Sequence, residues 1–237
     1  SRPHTPDSVI TPRLVIDKNN NIFLLGETYG DLEGNTNSGG YDAFAIKFNS
    51  SGVKQWTQQF GTTEADVVWG SDTDSFGNIY ITGYTEGGLD GNANSGGKDL
   101  FLFKYNMNGT NSSVRILGSA SDDIGYGVAT DSLDNVYVVA DTEGGMDGFL
   151  NSGQSDIFLI KYDSSLTKIW SLQMGTTSHD VPRAITIDSL NNIYVTGYTY
   201  GGLDGNTNLG NTDLFLVKFN SNGIKQWTRQ LGSSSME

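Results

Sequence analysis

The residues best suited to chemistry in this chain are oxygen donors at alternate positions. Asp90, Asn92 and Asn94 form an Asp-x-Asn-x-Asn run, and Asp99 closes the same polar stretch. Calcium takes roughly six to eight hard oxygen ligands, and side chains two residues apart let a loop wrap around the ion. The pattern recurs as Glu33, Asn35, Asn37 and Asp42, and again as Asp204, Asn206, Asn208 and Asp213. It is not an EF-hand, because the glycine comes one position late and the terminal bidentate Glu is absent. In another copy Phe149 replaces an Asn, so that loop is expected to bind calcium worst. Asn, Asp and Gly also make turns, their side chains bonding to nearby backbone N–H groups, and recurrence in every copy suits that second reading.

Other chemistries find little material. His4 and His179 are the only histidines and there is no cysteine, which leaves no His-based triad, multi-His metal site or thiolate site. Paired carboxylates could serve a glycosidase. Nearly all of them, however, stand at positions that repeat along the chain, as scaffold residues do. Asp66, Asp123 and Asp180 are such positions, expected on the surface that meets a binding partner. Trp69, Tyr126, His179 and Arg183 each occur in one copy only, and no pair among them suggests a reaction.

Those positions repeat because the chain does. Asn21, Asn78, Asn135 and Asn192 open the same apolar-alternating motif, each 57 residues after the last, with no insertion or deletion. A fixed period of this size marks a solenoid, propeller or array. Within one unit, Val67 to Thr73 reads as a strand and Asp74 to Asn78 as a turn. Ile79 to Thr85 alternates with a period of two. After a polar loop, Leu100 to Tyr105 is a third strand. Asn106 to Gly109 is a tight turn, and a fourth strand runs to Leu117. No segment carries a helical period.

Four short antiparallel strands per unit, repeated radially, describe a propeller blade; the competing β-solenoid usually has shorter coils. The expected fold is therefore an all-β propeller in a single domain, with blades at about 8–60, 65–117, 122–174 and 179–231. Four blades could close a ring or form part of a larger one. The first residues, Ser1-Arg2-Pro3-His4, read as a trimmed start, and Glu237 falls where Asp66, Asp123 and Asp180 stand, at the threshold of a further blade.

The stretch Gly197-Tyr198-Thr199-Tyr200-Gly201-Gly202-Leu203-Asp204-Gly205-Asn206-Thr207-Asn208 is followed by Asp213 to Phe219 and Gln226-Trp227-Thr228-Arg229-Gln230-Leu231-Gly232. Together these resemble the bacterial β-propeller repeat called SBBP. Every unit carries some version of it. The resemblance implies a propeller and a bacterial, extracytoplasmic or cell-surface location. The family has no single established activity. Its name suggests seven blades, whereas four repeats are present here.

Charge and strand order narrow the function. The formal net charge is −13, with 27 acidic residues. Nucleic acids and anionic lipid surfaces would repel such a chain. In an up-down meander the loops after the second and fourth strands share one face. That face carries most of the acids, with Lys98 as the opposing cation, so it should be strongly negative. Asp17, Asp74, Asp131 and Asp188 are expected to cap the first turn of each blade, on the other face. Lys47, Lys104, Lys161 and Lys218 should lie on the sheets with solvated heads. Trp56, Trp170 and Trp227 should pack between blades, and the outer edge strands could mediate self-assembly. The sequence therefore reads as a non-enzymatic binding or scaffold module, its acidic face meeting calcium or a basic protein. The alternative is a carbohydrate-binding or carbohydrate-active propeller that uses loop carboxylates and aromatics.

Overall fold

The computed structural model describes residues 9–234; the calls on His4 and Glu237 fall outside them. The chain forms four antiparallel sheets of four strands. The first holds β1 (Val9–Ile16), β2 (Ile22–Thr28), β3 (Asp42–Phe48) and β4 (Lys54–Phe60). The second holds β5 (Asp66–Thr73), β6 (Ile79–Thr85), β7 (Asp99–Tyr105) and β8 (Asn111–Leu117). The third holds β9 (Asp123–Thr130), β10 (Val136–Thr142), β11 (Asp156–Tyr162) and β12 (Lys168–Met174). The fourth holds β13 (Asp180–Ile187), β14 (Ile193–Thr199), β15 (Asp213–Phe219) and β16 (Lys225–Leu231). A single 3-10 turn at Leu203–Gly205 is the helical structure among the described residues, and no helix is long and apolar enough to cross a membrane.

Each sheet is a meander in sequence order, so each is one blade of a propeller. The first turn of every blade is fixed by an aspartate. Asp74 Oδ1 accepts from the N–H groups of Phe76 and Asn78, both at 2.9 Å, and its Oδ2 accepts from Tyr80 Oη at 3.1 Å. Asp17, Asp131 and Asp188 make the same turn, as their spacing implies. At Asp188 the bonds from Asn192 hold the carboxyl down at about 2.

Blades are joined by sheet-on-sheet packing. Phe23, Leu25, Ala43 and Ala45 of the first blade meet Ile79, Ile81, Phe101 and Phe103 of the second. Tyr80, Leu100 and Leu102 then meet Val136, Val138 and Phe158 of the third, and Tyr137, Ile157 and Leu159 meet Ile193, Val195 and Phe215 of the fourth. Alternation along each strand thus supplies one face to the blade before and one to the blade after. The innermost strands are β1, β5, β9 and β13, which follow one another around the centre. Leu214 and Leu216 of the fourth blade and Leu14 and Ile16 of the first stay exposed, so the four blades form an open arc among the described residues.

Two lysines of the third strands, Lys47 and Lys161, differ from the sequence expectation. Lys47 is 5% exposed and Lys161 8%, and their heads are not solvated. Each crosses to the next blade, where Lys47 Nζ donates to the Met107 carbonyl at 2.9 Å and Lys161 Nζ to that of Ser221 at 3.2 Å. Trp56 does pack between blades, with Nε1 donating to the same Met107 carbonyl.

Candidate functional site

The long loop after each second strand is built from the residues singled out above. Asn94 Oδ1 accepts from Gly96 N–H at 2.9 Å, while its Nδ2 donates to the carbonyls of Thr85 and Gly97. Asn92 Nδ2 donates to Leu89 O at 3.1 Å. Asn35 and Asn206 do the same to Leu32 and Leu203, and the Oδ1 atoms of Asn37 and Asn208 accept from Gly39 and Gly210. The first position turns the other way. Glu33 and Asp204 bond Lys54 with Thr57, and Lys225 with Thr228, on the outermost strand of their own blades, and Asp90 Oδ2 accepts from Asn111.

The closing aspartates turn inward. Asp42, Asp99 and Asp213 are at most 1% exposed. Asp99 Oδ2 accepts from Ser95 N–H at 2.6 Å, and Asp42 Oδ2 from Ser38 N–H and Gln59. Oxygens that alternate in sequence are therefore committed to different partners. Among the described residues no three acidic or histidine side chains gather as a metal-binding group. The asparagines carry the geometry of turn formers, while Asp42 Oδ1 and Asp99 Oδ1 are buried with no hydrogen-bond partner.

Asp66, Asp123 and Asp180 do not lie where a partner could touch them. All are 0% exposed. Their backbone N–H groups donate to Tyr41, Lys98 and Ser155 of the preceding blade, and Asp66 Oδ2 accepts from Thr62 N–H at 2.6 Å. They lock the entry of one blade to the loop of the last. Burial pushes the Asp66 carboxyl up to about 6, and nearby Asp42 adds to the effect. Glycine is required beside this pair: a Cβ at Gly61 would collide with Asp42 Oδ1, and one at Gly118 with Asp99 Oδ1.

With these carboxylates buried, fewer acids remain on the loop face. The β2–β3 and β4–β5 loops and their equivalents do share that face, since Gly40 N–H donates to Thr63 O and Glu143 N–H to Asp122 O. Glu64, Glu86 and Asp122 line one open groove of about 580 Å³, floored by Gly96 and Gly97. Its cation, Lys98, lies 3.5 Å from Asp122 and 5.0 Å from the Tyr84 ring.

A second surface lies on the innermost strands. Each of these strands has a register break where one residue bulges: Trp69 between Val68 and Gly70, Tyr126 between Gly125 and Gly127, and Arg183 between Pro182 and Ala184. A bulge re-aims its side chain out of the ladder. Two rings and two cations stack along the arc. Trp69 and Tyr126 are 5.5 Å apart, the Arg13 guanidinium is 4.9 Å from Trp69, and that of Arg183 is 4.5 Å from Tyr126. Arg183 Nη2 also donates to Tyr198 Oη at 3.0 Å. His179 stays apart, paired with Ser155 at 3.1 Å.

Sequence reasoning listed Trp69, Tyr126 and Arg183 without joining them. The signal was present: they occupy one repeat position, 57 residues apart. Arg13 was missed, as were two partly or wholly buried acids near the cations, Glu27 and Asp141. Burial pushes both carboxyls up to about 7, with Glu143 adding to the shift at Asp141.

Comparison with known proteins agrees with this architecture. The regulatory protein FlaEY of Caulobacter vibrioides is 26% identical over 217 residues, which covers 81% of this chain and 22% of that protein. An uncharacterized WD repeat-containing protein of Acanthamoeba polyphaga mimivirus, L264, is 28% identical over 195 residues, covering 81% of this chain and 13% of that one. The chain thus spans less than a quarter of either relative. Among solved structures, the ulvan lyase, a polysaccharide lyase, superposes with a TM-score of 0.50 at 12% identity, covering 90% of this chain and 56% of that one, a likeness of fold alone. The β-propeller repeat model SBBP matches residues 55–90, 114–145 and 169–204, each match running from a fourth strand through the first two strands of the next blade. With a matching fold and period, three repeats of this chain match the SBBP β-propeller repeat family.

Proposed function

We propose that this propeller is a non-enzymatic binding module whose loop-face groove holds a basic segment of a partner protein. The observation that carries the reading is the meeting of Glu64, Glu86 and Asp122 in one open groove, opposed by Lys98 alone among its lining residues. Lys98 is tied to Asp122, so it offsets little of the charge presented by the other two. Arginine and lysine side chains would find carboxylates there at several angles, with glycine backbone allowing close approach. Fluorescence anisotropy with a labelled Lys/Arg-rich peptide tests this. Binding that weakens with salt and is lost in the Glu64→Gln, Glu86→Gln double variant supports it. Equal binding by that variant refutes it.

A second reading rests on the bulged residues. Trp69 and Tyr126, flanked by Arg13 and Arg183, line a groove of about 320 Å³ on the innermost strands. Aromatic faces stack on sugar rings and guanidinium groups pair with acidic sugar substituents. A glycan array compared with the Trp69→Ala variant distinguishes this from the acidic groove, because that change leaves Glu64, Glu86 and Asp122 in place.

A further inference from the structure

We infer that the partner's basic segment enters by an arginine, whose guanidinium stacks on Tyr29 beside Glu64 and Glu86. The inference rests on the acidic-groove reading above and adds the side chain that the site selects. Glu64 and Glu86 also border a second open groove of about 460 Å³, lined further by Tyr29, Tyr41 and the Gly39-Gly40 backbone. No Lys or Arg is among its lining residues. Tyr29 and Tyr41 meet edge to face, with ring centres 4.6 Å apart. Tyr29 is 44% exposed, so its ring is available to a ligand.

The next junction shows how these loops seat a cation. Lys98 lies 5.0 Å from the Tyr84 ring and 3.5 Å from Asp122, so its ammonium meets an aromatic ring and a carboxylate together. At the first junction Tyr41 stands at the repeat position of Lys98, and Ala65 at that of Asp122. The chain's own ion pair is thus absent there, while rings and carboxylates line the groove. The complementary cation is one that a partner brings. Tyr29 shares its repeat position with Glu86, Glu143 and Tyr200, and all are exposed. Tyr200 is 47% exposed although another blade precedes it, so the exposure of Tyr29 belongs to the position.

Backbone bonds fix the groove before anything binds. Gly40 N–H donates to Thr63 O at 3.1 Å, Asp66 N–H to Tyr41 O at 2.7 Å, and Glu86 N–H to Ala65 O at 3.0 Å. Three loops from two blades are thereby held in register. A Cβ at Gly40 would stand 2.5 Å from Glu64 O, so glycine is what lets these loops approach. A planar guanidinium lies flat on a tyrosine face while its N–H fork pairs with a carboxylate, whereas an ammonium is a compact, strongly hydrated point charge. Charge alone does not separate arginine from lysine; the ring does.

Fluorescence anisotropy with labelled oligo-arginine and oligo-lysine peptides of equal length separates charge from stacking. The wild type is expected to bind the arginine peptide about threefold or more tightly. The preference should vanish in Tyr29→Leu, which keeps the charge of the groove, and persist in Tyr29→Phe, which keeps the ring. Both changes alter an exposed side chain, and circular dichroism checks that the variants are folded. Equal affinities of the two peptides for the wild type overturn the inference. So does a preference that survives unchanged in Tyr29→Leu or is lost in Tyr29→Phe. Salt-dependent binding that needs Glu64 and Glu86 but shows no arginine preference leaves the acidic groove standing and refutes this inference alone. Binding of neither peptide refutes both.

Discussion

The ammonium of Lys161 donates to the Ser221 carbonyl at 3.2 Å and lies 3.8 Å from buried Asp131, so one side chain ties the third blade to the fourth. Removing it leaves a buried carbonyl and a buried carboxylate with fewer partners. Lys161→Met is expected to cost about 2–3 kcal/mol. Lys218→Met, at the same repeat position but with its ammonium over the Tyr194 ring of its own blade, should cost less. Urea unfolding midpoints of the two variants provide the check, and equal losses would contradict the junction role.

Stability should fall as pH rises through neutrality. In the unfolded chain the carboxyls of Glu27, Asp66 and Asp141 titrate near 4. In the folded chain burial raises them to about 7, about 6 and about 7. Between these limits the folded state binds more protons than the unfolded state, so unfolding free energy decreases with increasing pH. The melting temperature at about pH 5 should exceed that at about pH 8. Glu27→Gln and Asp141→Asn should each flatten the profile. A melting temperature that rises between those pH values would contradict the assignment.

Gly118→Ala tests the carboxylate pockets at the junctions. The added methyl would collide with the Asp99 carboxyl, which is fully buried and cannot swing into solvent. The expected loss is about 1–3 kcal/mol, as for other overpacked cores. Gly91→Ala has open space around it, and its cost should come from its positive φ alone. Thermal unfolding of both variants separates steric collision from backbone strain.

The contrast between Asp99 and Tyr80 shows what could be read from the sequence. Tyr80 lies in an alternating strand that recurs four times, and period and repeat together specify the blade. Asp99 offers only a residue type and a spacing. Whether its carboxylate faces a cation or accepts the Ser95 N–H depends on how the loop folds back on it, which the spacing does not contain. Lys47 was misread because its acceptor, Met107, belongs to the next unit. Trp69 and Tyr126 were recognised individually, but their contact needs both the bulge and the packing of β5 on β9.

The loop geometry also bears on calcium. Asn92 and Asn94 already spend their amides on Leu89, Thr85 and Gly97, and Asp99 on Ser95. Rearranging them around an ion would break those bonds. Calorimetry in millimolar calcium and in excess EDTA is therefore expected to give the same transition temperature. A rise of several degrees with calcium would show that the loops do rearrange.

The most direct measurement of the binding account is the salt dependence of a Lys/Arg-rich peptide's affinity for the wild type and for the Glu64→Gln, Glu86→Gln variant. Exposed charges are screened within about 8 Å at physiological ionic strength. The account expects affinity to fall about tenfold or more between low and high salt for the wild type, and the variant to bind weakly with little salt response. Identical affinities and identical salt slopes for the two proteins would contradict it.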